Sequence, residues 1–276
     1  MKANRLTSEQ IVRTYLERIE TIDRAGFELK SVLAINPNAL TEARTLDTER
    51  SKGKLRGFLH GIPILIKDNI ESADAMPTTA GSLALRENDT RRDSPLVARL
   101  RAEGAIILGK TNLSEWSNMR SGDAVGGWSA IGGVTRNPYA LDRTASGSST
   151  GSSVTVYANL AAAAISTDTN GSITHPAAVN WIVALRPTLG LVSRHLVIPI
   201  GSSQDAPGPM TRTIADAALL LNVISGTNPN DAATREADSR LEDYLKNLKK
   251  DVLEKSSVRR DAFQYGELSA GSFGGV

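Results

Sequence analysis

Short apolar segments of strand type alternate with amphipathic segments of helical period along most of this chain. Pro63–Lys67 and Ala105–Leu108 predict buried strands, because each is brief and apolar and has turn residues at its start. Thr7–Gln10 is a capping box ahead of one helix, and Thr211–Ile224 predicts another helix with a strong apolar face. A chain that alternates the two element types in this way is expected to fold as an α/β layered domain.

The same patterns predict the remaining elements of the chain. Strands are predicted at Ser31–Ile35, Ile165–Thr167, Val183–Leu185 and Leu191–Val192, and helices at Pro37–Glu49, Ser94–Ala102, Ser152–Ala164 and Ser239–Lys250. The composition changes after Gly226, and Ser269–Val276 consists almost entirely of small residues. We therefore predict a core over residues 1–226 and a loose tail over residues 227–276.

The composition excludes several classes of function. The net charge is +2 and aromatic residues make up 4% of the chain, so no nucleic-acid partner is expected. The absence of cysteine excludes disulfides, a thiol nucleophile and thiolate zinc sites. The three histidines, at positions 60, 175 and 195, lack the i, i+4 spacing of a helical metal site, so we expect no metal and no cofactor.

The sequence shows no feature of a membrane or secreted protein. Met1–Ile11 is polar and lacks the apolar region of a signal peptide. The longest apolar stretch, Asn159–Ile165, is far shorter than the about 20 residues of a membrane helix. We therefore expect a cytoplasmic protein without membrane contact.

Gly104–Thr111 matches the phosphate-binding pattern G-x-x-x-x-G-K-T letter for letter. That loop has to turn so that its backbone N–H groups face an anion ahead of a helix. Here the four middle residues are Ala-Ile-Ile-Leu, which predict a strand, and Gly104 is placed to end the preceding helix. We therefore do not predict a nucleotide site.

Two segments rich in small polar residues, Thr144–Ser153 and Ser166–Ser172, are candidates for chemistry. They are either flexible loops or short, placed loops whose backbone N–H groups converge on a developing negative charge. A serine in them would need a base, and no histidine is well placed. Lys67 ends an apolar run, so it is either a base whose pKa is lowered by burial or an ordinary exposed lysine at a strand end.

Five motifs in order resemble the amidase signature family, over roughly residues 7–226. They are His60–Asn69, Gly109–Trp116, Ser146–Gly151, Thr167–Ile173 and Gln204–Met210. The resemblance implies a mixed central β-sheet covered by helices on both faces. It also implies hydrolysis of carboxamide C–N bonds, in a small-molecule or peptide amide, through an acyl-enzyme.

By this resemblance Ser172 is the nucleophile, Ser148 the bridging serine in a cis peptide, and Lys67 the base. Ser148 and Ser172 are 24 residues apart, as in the family motif. The N–H groups of Thr169, Asn170, Gly171 and Ser172 would bind the oxyanion.

The chain departs from the family pattern at Asn170, where glycine is common, and at Thr174, where many members have an arginine that could pair with Asp168. Family domains also continue beyond this length, so we expect the fold to be incomplete on its C-terminal side. The alternative function is therefore a catalytically silent homologue or a partner-dependent subunit, including one like the A subunit of an amidotransferase.

Overall fold

The computed structural model describes residues 6–119 and 121–248, and its centre is a sheet of six strands. The strands follow the order β1-β3-β2-β6-β8-β7, in which β2 is parallel to β3 and β6 and the other pairs are antiparallel. A separate hairpin is formed by β4 and β5. The strands are β1 Val32–Ile35, β2 Pro63–Lys67, β3 Ile106–Thr111, β4 Trp128–Ser129, β5 Gly133–Val134, β6 Ala163–Asp168, β7 Val183–Ala184 and β8 Ala206–Thr211.

Helices cover both faces of this sheet. They are α1 Ser8–Arg18, α2 Ala39–Ser51, α3 Pro95–Ala102, α4 Thr150–Tyr157, α5 Thr174–Val179 and α6 Ile214–Ile224. Successive side chains of a strand point to opposite faces. Leu65 accordingly packs with α1, α2 and α4, whereas its neighbours Ile64 and Ile66 pack with α3 and α6. The predicted mixed sheet with helices on both faces is confirmed.

Several predicted elements occur as expected. Thr7 caps α1, with its side chain accepting from the Gln10 N–H and the Gln10 side chain accepting from the Thr7 N–H. Gly104 follows α3 with a φ of +87°, and Gly109 and Lys110 lie inside β3. The segment that matches the phosphate-binding pattern is therefore a strand, as its apolar middle residues predict.

Two predicted elements differ from the structure. The helix predicted over Ser152–Ala164 ends at Tyr157, and Ala163–Asp168 is strand β6, because Ala163 and Ala164 pair with Ile64 and Leu65 of β2. Sheet pairing here outweighs the helix propensity of alanine. The strand predicted at Leu191–Val192 is only an isolated bridge between Val192 and Ser225.

Strand β8 was missed because it contains two prolines, which are rare inside sheets since they lack an N–H donor. The carbonyl of Pro209 still accepts from the Leu185 N–H at 3.1 Å, so the strand pairs despite its prolines.

The end of the described chain differs from a regular helix. The described part of the predicted helix over 239–250 is not α-helical. The 3-10 turn Asp238–Arg240 overlaps its start, and the chain is extended at Leu241, which ends that turn. Residues 6–245 belong to one compact unit. Most of the predicted tail, from residue 249 onward, lies outside the described residues. No helix among those described is long and apolar enough to cross a membrane.

Candidate active site

Strand β2 places Lys67 at its carboxyl end, where the side chain is fully buried. The lysine Nζ lies 2.7 Å from Ser148 Oγ, 3.0 Å from Thr167 Oγ1 and 3.3 Å from the Thr167 carbonyl oxygen. Thr167 belongs to β6, the parallel neighbour of β2, so adjacent strand ends bring these groups together. The structure thus places the predicted base against the predicted bridging serine.

Burial lowers the pKa of Lys67 from its ordinary value of 10.5 to about 7, because the interior solvates the charged ammonium poorly. The carboxylates of Asp168 and Asp205 act in the opposite direction and raise this pKa. The amine is therefore substantially neutral at physiological pH, which is the state that a general base needs.

Ser148 lies just before α4 in a loop fixed by Ser114, and the Gly147–Ser148 peptide bond is cis. The Ser114 N–H donates to the Ser148 carbonyl at 3.0 Å. A side chain at Gly147 would collide with the Ser114 hydroxyl. A larger residue at position 147 would therefore have to displace the Ser114 side chain.

Ser172 lies in the turn that follows β6, and its residue is 8% exposed. The Ser149 N–H donates to the Ser172 carbonyl at 3.1 Å, so the two serine-bearing loops are directly joined. Among the described residues, no hydrogen bond connects the hydroxyls of Ser148 and Ser172. The structure thus brings Lys67 and Ser148 into contact and places Ser172 in the adjoining loop.

Asp168 shapes the loop that carries the predicted oxyanion donors. Its fully buried carboxylate accepts from the Gly171 N–H at 2.8 Å and the Ile173 N–H at 2.7 Å. The Gly171 N–H, one of the four predicted donors, is therefore engaged by Asp168. The N–H groups of Thr169, Asn170 and Ser172 have no acceptor within residues 6–119 and 121–248.

Four further residues around this site were not predicted from the sequence. Asn69 donates to Thr167 Oγ1 at 3.0 Å, and Asp205 accepts from the Thr169 hydroxyl at 2.6 Å. Asn69, Thr167 and Asp205 all lie within the family motifs quoted above, which was a signal that could have found them.

Arg186, the fourth missed residue, carried no such signal. Its Nε lies 3.2 Å from Asp168 Oδ1, so Arg186 supplies the ion pair that the threonine at position 174 cannot form. Across the described residues, no group of three His, Asp or Glu side chains is placed to hold a metal ion.

These features define a class: a mixed α/β protein in which a buried lysine at a strand end contacts a serine, beside a second serine-bearing loop. The chain belongs to the amidase family, whose sequence model, described as Amidase, matches residues 10–256. The resemblance stated from the motifs is therefore confirmed.

Individual relatives agree with this assignment. A probable amidase of Arabidopsis thaliana is 46% identical over 235 residues, covering 84% of this chain and 45% of that protein. The crystal structure of peptide amidase from Stenotrophomonas maltophilia superposes with a TM-score of 0.86 at 53% identity, covering 88% of this chain and 50% of that one.

The A subunit of a glutamyl-tRNA(Gln) amidotransferase from Alkaliphilus metalliredigens is 38% identical over 261 residues, which is 94% of this chain and 51% of that protein. The chain thus spans about half the length of these relatives.

Proposed function

We propose that this protein is an amidase that hydrolyses carboxamide C–N bonds with Ser172 as nucleophile, Ser148 as bridge and Lys67 as base. The observation that carries the proposal is the 2.7 Å contact between Ser148 Oγ and the Nζ of a fully buried lysine with a pKa of about 7. A buried neutral amine in contact with a hydroxyl is a proton acceptor suited to serine chemistry.

The contacts of Lys67 orient its amine for this role. A neutral amine has two N–H donors and one lone pair. Thr167 offers two acceptors, its hydroxyl at 3.0 Å and its carbonyl at 3.3 Å, which take the two N–H groups. The lone pair is then left for the Ser148 hydroxyl, which can donate to Lys67 while it accepts from Ser172.

The first half-reaction forms an acyl-enzyme. Ser172 Oγ attacks the amide carbonyl carbon, its proton passes to Ser148 Oγ, and the Ser148 proton passes to Lys67. The oxyanion is received by the N–H groups of Thr169, Asn170 and Ser172. When the intermediate collapses, the C–N bond breaks and the proton on Lys67 returns through Ser148 to the leaving nitrogen.

The second half-reaction releases the acid. Water takes the place of the amine, gives one proton to Lys67 through Ser148, and attacks the acyl carbon. Collapse of this second intermediate returns the proton to Ser172 and frees the carboxylic acid, so the base ends each cycle neutral.

The degree of similarity favours a peptide amide as the substrate. The peptide amidase structure is 53% identical to this chain, whereas the amidotransferase relative is 38% identical. The alternative, a subunit that releases ammonia from glutamine within a larger assembly, is supported by the 94% coverage of this chain by the amidotransferase relative. Glutamine hydrolysis that requires a partner chain would favour that alternative.

The test is labelling with a serine-directed fluorophosphonate at neutral pH, beside ammonia release from C-terminally amidated peptides. We expect the unaltered protein to label and turn over, and Ser172→Ala, Ser148→Ala and Lys67→Ala to lose both properties.

Lys110→Met is the matched control for the lysine variant. Lys110 is also fully buried, with its pKa lowered to about 8 chiefly by burial, but its Nζ contacts Ile70 O and Thr78 Oγ1 instead of a serine. Full labelling of Lys67→Ala would overturn the proposed mechanism.

A further inference from the structure

Arg186 forms an ion pair with a carboxylate that is completely withdrawn from water. Asp168 has no exposed surface, and Arg186 Nε lies 3.2 Å from its Oδ1. A buried carboxylate is costly unless a charged partner and hydrogen bonds compensate it. The N–H groups of Gly171, Ile173 and Thr174 supply the hydrogen bonds, and Arg186 supplies the charge.

The same guanidinium also contacts the segment that precedes β8. Arg186 Nη2 donates to the Gln204 carbonyl at 2.7 Å. The next residue, Asp205, accepts from the Thr169 hydroxyl and from the Ile200 N–H. Arg186 therefore links the two carboxylate-bearing segments that flank the loop 169–172.

Both carboxylates act electrostatically on Lys67. Asp168, from β6, and Asp205, from the segment before β8, each raise the pKa of Lys67 against the effect of burial. The hydrogen-bond partners of Lys67, Ser148 and Thr167, are uncharged. Arg186, from the segment after β7, forms an ion pair with Asp168.

We propose that Arg186 is a positioning residue of this hydrolysis, which holds the loop 169–172 through its ion pair with Asp168 and its hydrogen bond to the Gln204 carbonyl. The inference rests on the proposed function for its catalytic meaning. It assigns two separable effects to one side chain: its positive charge opposes the electrostatic effect of Asp168 on Lys67, and its contacts with Asp168 and the Gln204 carbonyl keep the loop in place.

The experiment compares Arg186→Met and Arg186→Lys with the unaltered chain, by fluorophosphonate labelling rate from pH 5.5 to 9.5. In Arg186→Met, the acid limb of the profile should move to higher pH by about one unit, because an uncompensated nearby carboxylate favours the protonated lysine. At pH 6.5 the labelling rate should fall about tenfold, and a large part of this loss should be recovered at pH 9.5.

Arg186→Lys separates charge from geometry. Lysine keeps the charge, but it lacks the planar fork that reaches two acceptors at once. Its acid limb should therefore stay near that of the unaltered chain, while its plateau rate falls.

Arg92→Met is the matched control. Arg92 also pairs with a largely buried carboxylate, that of Glu71 at 2.9 Å, but contacts none of the groups above. It should leave the profile unchanged.

A titration of Lys67 itself, which does not depend on the reactivity of Ser172, distinguishes the two proposals. In protein labelled with [13C]lysine, the Lys67 resonance is identified by its absence in Lys67→Arg and is titrated in each Arg186 variant. If Ser172 does not label at any pH but the Lys67 titration moves upward in Arg186→Met, the proposed hydrolysis fails and the action of Arg186 on Lys67 stands. If Ser172 labels and the acid limb of Arg186→Met coincides with that of the unaltered chain, the Arg186 inference is overturned and the hydrolysis stands.

Discussion

Replacing Thr167 by valine tests whether Thr167 orients the Lys67 amine. Valine keeps the shape of threonine but removes Oγ1, which accepts from Lys67 Nζ at 3.0 Å and from Asn69 Nδ2 at 3.0 Å. Both donors keep one other acceptor, the Thr167 carbonyl at 3.3 Å and the Ile198 carbonyl at 3.4 Å. Losing each hydrogen bond should therefore cost about 1 kcal/mol, the low end of the range for a buried group that loses a partner. The free energy of unfolding should fall by about 2 kcal/mol for the two bonds together.

The same change should weaken catalysis. Without the hydroxyl, one of the two acceptors that fix the amine is lost, and the lone pair is no longer held toward Ser148. A barrier increase of about 1.4 to 2.7 kcal/mol corresponds to a 10- to 100-fold lower kcat. Loss of an acceptor also disfavours the ammonium, so the pKa of Lys67 should fall and the acid limb should move to lower pH, opposite to the shift in Arg186→Met.

The assay is kcat and KM against pH, with urea unfolding measured on the same samples. Thr111→Val is the control, since Thr111 is also fully buried and its hydroxyl bonds Ser152 Oγ at 2.7 Å, with no hydrogen bond to the Lys67 amine among residues 6–119 and 121–248. It should lose stability and keep kcat. A Thr167→Val protein that loses stability but keeps the plateau kcat of the unaltered chain would refute the orienting role.

Three further perturbations have defined outcomes. Gly171→Ala should reduce fluorophosphonate labelling, and it should destabilise the fold more than Gly53→Ala does. Both glycines have positive φ (+88° and +74°), but of the two only Gly171 would place its Cβ against a neighbour, the His175 ring at 2.9 Å. Equal effects on Tm would contradict this. Asn180→Leu should lower the unfolding free energy by about 2 kcal/mol in urea titrations, because the buried Asn180 amide donates to two carbonyls and a hydroxyl. An unchanged urea midpoint would refute this prediction. Between pH of about 7 and 10.5, Lys67 binds more protons in the unfolded chain than in the folded one, so the free energy of unfolding should rise with pH over this range. The rise should be smaller in Lys67→Met. Parallel curves of unfolding free energy against pH for the two proteins would exclude a lowered pKa of Lys67.

The sequence was sufficient for those parts of the fold that depend on local pattern. β2 and β3 are brief apolar segments buried on both faces, and α1 has a capping box, so each is encoded by neighbouring residues. β8 was missed because its prolines oppose strand formation, and its pairing with β6 is set by tertiary contacts.

The candidate site is also predictable only in part from local sequence. Lys67 could be predicted because it ends an apolar strand inside a recognisable motif. The contact of Arg186 with Asp168 joins residues 18 positions apart that meet only because β7 and β6 both flank β8. Such pairings depend on sheet order, which local sequence does not encode.

The position of the site within the sheet has a consequence for its hydrogen exchange. β2 and β6, which carry Lys67 and Thr167, are the third and fourth of six strands and have a neighbour on each side. Amides in such strands exchange with solvent only through large openings, whereas edge strands such as β1 and β7 fray locally. The backbone that carries Lys67 and Thr167 should therefore be among the slowest-exchanging segments, so that the geometry of the candidate site survives local fluctuations and is lost only when the whole sheet opens.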